Sequence, residues 1–248
     1  FAELIADPVA GNMIRTLFVN KKSADKLRAR PEGFEKTKVN TLGMLGAGMM
    51  GSGISLVSAR SGMSVILLDS TEEQAAKGKQ YTEKFLEKRV KKGKMTPEAA
   101  AEVLDRITVT TDFNDLTECD LIIEAVFENR EIKADVTQKT EAVISEETVF
   151  ASNTSTLPIT GLAESSSRPE GFIGMHFFSP VERMPLVEII LGKETSDRAL
   201  AVALDYVQQI RKTPIVVNDS RGFFTSRVFS TACNEANTML TEGVSPAL

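Results

Sequence analysis

Eight short apolar segments alternate with segments of helical periodicity along most of the chain. We assign the apolar segments to residues 39–45, 64–68, 107–111, 120–124, 148–151, 172–175, 186–190 and 214–217. The helical patterns fall at residues 49–61, 71–93, 97–105, 129–144 and 196–211. Near-continuous apolar strands separated by helices are typical of a parallel sheet that is covered on both faces. The sequence therefore predicts an α/β fold with a doubly wound parallel sheet.

The segments on either side have a different character. Residues 1–38 begin with apolar residues at helical spacing, namely Leu4, Ile5, Val9, Met13, Ile14, Leu17 and Phe18. A basic run follows, consisting of Lys21, Lys22, Lys26, Arg28 and Arg30. We expect a helix and then a linker whose charges form a solvated face. Residues 221–248 are predicted to form one long helix, so the chain divides into segments 1–38, 39–220 and 221–248.

The composition excludes several classes of function. The formal net charge of −5 and the pI of about 5.2 provide no basic field for nucleic acid or an anionic membrane. No apolar run approaches the roughly 18 residues that a membrane span requires. Cys119 and Cys233 form no CxxC pair, and the chain has a single histidine. We therefore expect no metal site and two reduced, idle thiols.

Three glycines form a GxGxxG motif directly after the first apolar strand and at the start of a helix. In that context Gly46 permits a tight turn, and Gly48 lets the backbone approach a pyrophosphate. Gly51 lets the helix pack closely on the strand, and the helix N-terminus offers unpaired N–H groups to phosphate. The motif therefore predicts a Rossmann-type dinucleotide site.

An acid follows the second predicted strand. Asp69 stands 23 residues after Gly46, at the position where a carboxylate accepts hydrogen bonds from the cofactor ribose. The same carboxylate repels a 2′-phosphate, and neither Ser70 nor Thr71 supplies an arginine to bind one. The expected cofactor is therefore NAD rather than NADP.

The only histidine, His176, lies at the carboxyl end of a predicted strand, the edge where ligands bind in open α/β sheets. Imidazole, with an unperturbed pKa of about 6.5, is suited to accept a proton from an alcohol near neutral pH. Glu188 lies in an apolar strand, where a carboxylate is costly unless it is paired, and pairing with His176 would fix the tautomer. The alternative is a structural histidine and a Glu188 that faces solvent.

Two further polar stretches follow predicted strands. Residues 152–156 combine small hydroxyl and amide side chains that could bond a substrate oxygen or the nicotinamide amide, although a helix-capping turn has the same composition. Glu128 and Lys133 could reach the cofactor ribose from the far side of the crevice. They could equally be a solvated acid and a surface lysine.

Five motifs together resemble the L-3-hydroxyacyl-CoA dehydrogenase family. They are LGAGMMG, DLIIEAVFEN, FASNTSTLPIT, HFFSPVERMPLVE and VNDSRGFFTSRV, in the family's order and spacing. The resemblance implies NAD-dependent oxidation of the 3-hydroxyl of an acyl-CoA in fatty acid β-oxidation. It makes His176 the base, Glu188 its partner, and Ser155 the group that bonds the substrate 3-oxygen. The implied NAD site consists of Gly46, Gly48, Met50, Gly51, Asp69, Val126, Phe127, Glu128, Lys133, Ser155 and Ser179.

Substrate contacts are implied less directly. The basic cluster Lys88, Arg89, Lys91, Lys92 and Lys94, with Lys92 as the selected contact, could bind CoA phosphate or form a solvated helix end. Ser226 stands where family members usually have a substrate-contacting asparagine, and Ser179 also replaces a frequent asparagine. We interpret both changes as altered contacts rather than lost activity.

Residues 1–38 resemble the stretch that joins an enoyl-CoA hydratase module to the dehydrogenase in multifunctional β-oxidation proteins. This resemblance implies a longer parent polypeptide with an additional lyase activity and a thiolase subunit as partner. It favours the bacterial cytoplasm, while mitochondria and peroxisomes remain open. The last segment would then begin a truncated helical domain, and its apolar face predicts self-association of this chain.

Two other functions remain open. One is a module that binds NAD or acyl-CoA without turnover in this truncated form. The other is a related β-hydroxyacid dehydrogenase that uses a lysine base, but the lysine-bearing helix expected for it is not visible within residues 223–240.

Overall fold

A computed structural model describes residues 2–246 and contains a single eight-stranded sheet. Its strands are β1 (Thr41–Leu45), β2 (Ser64–Leu68), β3 (Ile107–Thr110), β4 (Leu121–Glu124), β5 (Val149–Ser152), β6 (Phe172–Phe177), β7 (Leu186–Leu191) and β8 (Thr213–Asn218). The strand order is β3-β2-β1-β4-β5-β6-β7-β8. All eight predicted apolar segments are strands, and the doubly wound α/β fold is confirmed.

The helices are α1 (Ala2–Ala6), α2 (Pro8–Ile14), α3 (Lys21–Asp25), α4 (Met49–Arg60), α5 (Glu72–Lys91), α6 (Pro97–Asp105), α7 (Arg130–Glu141), α8 (Ile159–Ala163), α9 (Asp197–Gln209) and α10 (Thr225–Thr241). Side-chain caps set several of their starts. Thr71 Oγ1 accepts from the N–H of Gln74 at α5, and Asn129 Oδ1 accepts from two N–H groups at α7. In the described part of the chain, no helix is long and apolar enough to cross a membrane.

Two apolar cores cover the sheet. Leu42 and Met44 of β1 belong to one core, whereas Leu45 belongs to the other. Because successive strand residues point to opposite faces, the two cores lie on the two sides of the sheet. Buried β-strands with helices on both faces explain the near-continuous apolar runs in the sequence.

The sheet is not parallel throughout. β7 runs antiparallel to β6, and β8 is parallel to β7, so the prediction of an all-parallel sheet is wrong at this edge. The connection between β6 and β7 consists only of residues 178–185. A parallel crossover needs a dozen or more residues, whereas a short loop can join antiparallel neighbours.

The first segment is helical, as predicted, with a π-helical stretch at Arg15–Asn20 between α2 and α3. All seven apolar residues assigned to this segment are exposed. The basic run is not solvated throughout. Arg30 pairs with Asp205 of α9 through both side-chain oxygens, at 2.8 and 2.9 Å, and also donates to three backbone carbonyls. The linker therefore docks on the sheet domain through Arg30.

The predicted last helix is shorter than residues 221–248. α10 begins at Thr225 because Gly222 and Phe223 have positive φ angles of 73° and 48°, which a right-handed helix cannot include. It ends at Thr241, just before Gly243, whose φ is 91°. Residues 247–248 of the predicted helix lie outside the described residues. α10 has no buried residue, and Phe229 on its surface is 71% exposed.

The buried pair at the linker predicts a stability effect. Replacing Arg30 with Met leaves the Asp205 carboxylate, which is 0% exposed, without its cation. Removing one partner of a buried ion pair costs roughly 3 kcal/mol, and urea unfolding should show a loss of that size. Lys21→Met removes the exposed pair with Asp25 and should cost no more than about 0.5 kcal/mol. If Arg30→Met lowers the free energy of unfolding by no more than the small loss expected for Lys21→Met, the Arg30–Asp205 pair does not stabilise the domain.

Candidate active site

The glycine-rich turn joins β1 to α4. Gly46 has φ of 93°, and a Cβ there would lie 2.7 Å from the backbone oxygen of Ala125. A Cβ on Gly51 would overlap the carbonyl oxygen of Gly46, so the helix packs directly on the turn. A Cβ on Gly48 meets nothing within 4 Å, which leaves this side of the turn open. The turn thus has the close packing and the open approach that a dinucleotide requires.

Asp69 follows β2 and lies beside this turn. Its Oδ2 accepts from the N–H of Ala47 at 2.6 Å, and its Oδ1 accepts from the N–H of Ser70 at 2.6 Å. Asp69 is half-buried, and its carboxylate holds the glycine-rich turn in place. Its predicted bond to the cofactor ribose stays a prediction.

His176 and Glu188 face each other as a register pair of β6 and β7. Nδ1 of His176 lies 2.7 Å from Oε2 of Glu188. Both side chains are buried, at 7% and 0% exposure, so a structure with Glu188 in solvent is excluded. When the neutral imidazole donates from Nδ1 to the carboxylate, Nε2 carries the free lone pair. The pair is therefore arranged for proton transfer at Nε2.

Glu188 accepts hydrogen bonds from other groups in addition to His176. Its Oε1 accepts from the N–H groups of Phe224 at 3.1 Å and Thr225 at 2.9 Å. Its Oε2 also accepts from the hydroxyl of Thr225 at 2.7 Å. Burial acts to raise the pKa of Glu188, but the hydrogen bonds from His176 and Thr225 outweigh it, so the pKa lies below its ordinary value. Sequence reasoning missed Thr225, which is recognisable only once the start of α10 is known.

The loop after β5 closes the site from the other side. Oδ1 of Asn153 accepts from the N–H of Phe177 at 2.9 Å, which ties this loop to the end of β6. Ser155 is exposed, and its N–H donates to Oε1 of Glu128. Within residues 2–246 its hydroxyl makes no hydrogen bond, so it is free to meet a ligand. Asn153 was predicted only as a member of the polar cluster.

Lys133 is not a surface lysine. Its side chain is 2% exposed, and its Nζ lies 2.7 Å from Oε1 of Glu124 and 3.2 Å from Oε2 of Glu128. Burial acts to raise the pKa of Glu128, but Thr154 and Lys133 outweigh it and lower the pKa. Glu128 is the exposed member of this triad, with 37% of its side chain accessible, so it rather than Lys133 can meet a ligand.

Glu124 is a buried site residue that sequence reasoning missed. It ends β4, and its two oxygens accept from Val126 N–H, from Lys133 and from the hydroxyl of Ser152. The signal was present, because Glu124 is a carboxylate in an apolar strand just as Glu188 is. The same argument that selected Glu188 would have selected Glu124.

The remaining residues of the predicted NAD and substrate sites make fewer contacts with the residues described above. Met50 and Val126 are partly buried near the turn, and Phe127 is 76% exposed. The hydroxyl of Ser179 points to the sulfur of Met49 at 3.5 Å. Ser226 is partly buried at the start of α10, next to Thr225.

The basic cluster lies at the C-terminal end of α5. Lys92 caps this helix and is exposed, as are Lys88, Lys91 and Lys94, whereas Arg89 is partly buried. Exposed lysines in the last turn of a helix also have a structural role, because they interact favourably with the helix dipole. The CoA contact of this cluster stays a prediction.

The chain is similar in sequence and fold to known proteins. The sequence profile of the 3-hydroxyacyl-CoA dehydrogenase, NAD binding domain family matches residues 41–220. A fatty acid oxidation complex subunit alpha from Psychrobacter arcticus is 41% identical over 228 residues, which are 92% of this chain and 31% of that protein. The chain therefore spans less than a third of the length of that relative.

Shorter relatives are matched along most of their length. A protein from Deinococcus radiodurans, designated a probable 3-hydroxybutyryl-CoA dehydrogenase, is 44% identical over 202 residues, 82% of this chain and 72% of that protein. The crystal structure of (S)-3-hydroxybutyryl-CoA dehydrogenase from Ralstonia eutropha superposes with a TM-score of 0.81 at 38% identity, covering 84% of this chain and 74% of that one. The chain thus belongs to the 3-hydroxyacyl-CoA dehydrogenase family and contains its NAD-binding domain.

Proposed function

We propose that this chain oxidises the 3-hydroxyl of an L-3-hydroxyacyl-CoA, with His176 as the base. The observation that carries the proposal is the buried hydrogen bond of 2.7 Å between His176 and Glu188 at the ligand-binding edge of the sheet. The domain's family membership and the names of its relatives support the choice of substrate.

The residues around the turn suit NAD. Gly46, Gly48 and Gly51 with the N-terminus of α4 would hold the pyrophosphate, and Asp69 would hold the ribose. Glu128 would contribute from the other side of the crevice. When bound, NAD supplies the acceptor for the hydride that leaves C3 of the substrate.

The chain's own residues handle the proton. Nε2 of His176 takes the proton of the 3-hydroxyl, and Glu188 stabilises the imidazolium that results. The free hydroxyl of Ser155 would donate to the substrate oxygen and orient it. The hydrogen bonds from His176 and Thr225 lower the pKa of Glu188, which favours the ionised carboxylate that stabilises the imidazolium.

The alternatives are less well supported. A module that binds NAD or acyl-CoA without turnover would have no use for a buried imidazole–carboxylate pair, which is costly to bury. A lysine base is disfavoured because Lys133, the buried lysine at this edge, is neutralised by two carboxylates.

The wider setting is also part of the proposal. A hydratase module with lyase activity would precede this domain in a longer polypeptide of the bacterial cytoplasm, and a thiolase subunit would be the partner of that polypeptide. The relatives named as alpha subunits of a fatty acid oxidation complex support the longer polypeptide and its part in fatty acid oxidation. Substrate contacts by Ser226 and Lys92 belong to the same proposal.

The base assignment predicts a specific loss of activity. Gln in place of His176 keeps a hydrogen-bond donor for Glu188 but cannot accept the proton. Turnover of 3-hydroxybutyryl-CoA, followed by NADH formation, should fall by about 10² to 10⁴. NAD affinity from a fluorescence titration should stay within a few-fold of wild type, which serves as the folding control. Wild-type turnover in this variant would remove His176 as the base.

Asp69 predicts the cofactor preference. Asp69→Ala combined with Ser70→Arg removes a repelling charge and adds a phosphate partner, so the ratio of NADP to NAD affinity should rise. Ser70→Arg alone retains the carboxylate and should change the ratio less. Because Asp69 also bonds Ala47, the double variant should bind both cofactors more weakly than wild type binds NAD. Equal binding of NAD and NADP by the wild type would contradict this assignment.

The exposed face of α10 predicts self-association. Val228, Phe229, Met239 and Leu240 are all exposed large apolar residues of α10. Light scattering should give a mass above that of the 27.0 kDa monomer. Phe229→Asp should return the chain toward the monomer mass, whereas Asn237→Asp adds the same charge at an exposed polar position and should not. A monomeric wild-type chain would refute self-association and leave the catalytic proposal intact.

A further inference from the structure

We propose that Thr225, the first residue of α10, is a positioning residue that tunes the His176–Glu188 pair. Its hydroxyl bonds the same carboxylate oxygen that pairs with the imidazole, so the start of α10 sets how strongly Glu188 attracts the proton on His176. The catalytic consequence of this inference rests on the proposed function. Thr225 lies within the VNDSRGFFTSRV motif, but no role was predicted for it from the sequence.

One carboxylate oxygen is shared between two partners. Oε2 of Glu188 lies 2.7 Å from Nδ1 of His176 and 2.7 Å from Oγ1 of Thr225. The other oxygen is occupied by the N–H groups of Phe224 and Thr225. Glu188 therefore acts as an acceptor at the N-terminal end of α10, where unpaired N–H groups favour a negative charge.

The backbone before α10 is shaped to present these donors. Gly222 and Phe223 both have positive φ, and Phe223 carries a side chain, for which this conformation is unfavourable. The ring of Phe223 is buried, and its centroid lies 6.0 Å from that of the His176 ring. This packing favours the positive φ of Phe223. The next two N–H groups then meet Glu188.

The hydroxyl of Thr225 has a definite electrostatic effect. A donor on Oε2 draws charge from that oxygen, so the carboxylate stabilises an imidazolium less than it would otherwise. The neutral imidazole, which is the form a base requires, is thereby favoured. Among the described residues, Glu188 is the only charged group in hydrogen-bond or ion-pair contact with His176. The His176 ring packs near the rings of Phe178 and Phe223.

The single histidine allows a direct test on this 248-residue chain. Nitrogen-15 NMR of the imidazole follows the titration of His176 with no other histidine signal. Thr225→Val removes only the hydroxyl donor, and the titration midpoint should move to higher pH. Thr225→Ser restores a hydroxyl and should restore the wild-type midpoint. Thr231→Val removes an exposed hydroxyl elsewhere on α10 and should leave the midpoint unchanged.

Kinetics separate tuning from a structural role. The acid limb of the kcat/KM profile should move to higher pH with the NMR midpoint in Thr225→Val, whereas general damage would lower activity equally at every pH. If Thr225→Val does not fold, Thr225→Ala takes its place in both measurements. An unchanged midpoint in the folded variant would overturn the inference. A moved midpoint with no NADH formation even by wild type would instead refute the proposed function and leave the coupling standing.

Discussion

The candidate site depends on the pairing of β6 with β7. Their antiparallel register places His176 directly opposite Glu188, and neither buried group would be tolerated without the other. A slip of β7 by one residue would move Glu188 to the other face of the sheet, away from His176. The short connection that makes these strands antiparallel is therefore also what creates the pair.

Two buried carboxylates, Glu124 and Glu188, are stabilised in the same way. Glu124 and Glu188 each lie in an apolar strand at the ligand-binding edge, and each is bonded by backbone and side-chain donors from a following segment. Glu124 neutralises Lys133 and so holds the triad with Glu128, while Glu188 pairs with His176. The two acids anchor opposite sides of the crevice, one beside the proposed cofactor and one beside the proposed base.

The sequence was sufficient for the eight strands and for α4, α5, α6, α7 and α9, because buried strands and amphipathic helices have distinct periods. The short helix α8 was not predicted. It also indicated the glycine-rich turn and the pairing of His176 with Glu188. The antiparallel direction of β7 was missed because the apolar content of a strand does not indicate its direction. The short connection between β6 and β7 did indicate it. The docking of Arg30 was missed because its partner, Asp205, lies 175 residues away in the sequence. The role of Thr225 depends on two left-handed residues that precede it, only one of which is glycine.

The central proposal is that hydride passes from C3 of a 3-hydroxyacyl-CoA to NAD at this site, with His176 as the base. The most direct measurement uses 3-hydroxybutyryl-CoA carrying deuterium at C3, with the chain and NAD, and mass spectrometry of the reduced cofactor. The account predicts that the deuterium appears in the reduced nicotinamide and that 3-ketobutyryl-CoA forms in equal amount. Reduced cofactor without deuterium, or no reduction of bound NAD, would contradict it.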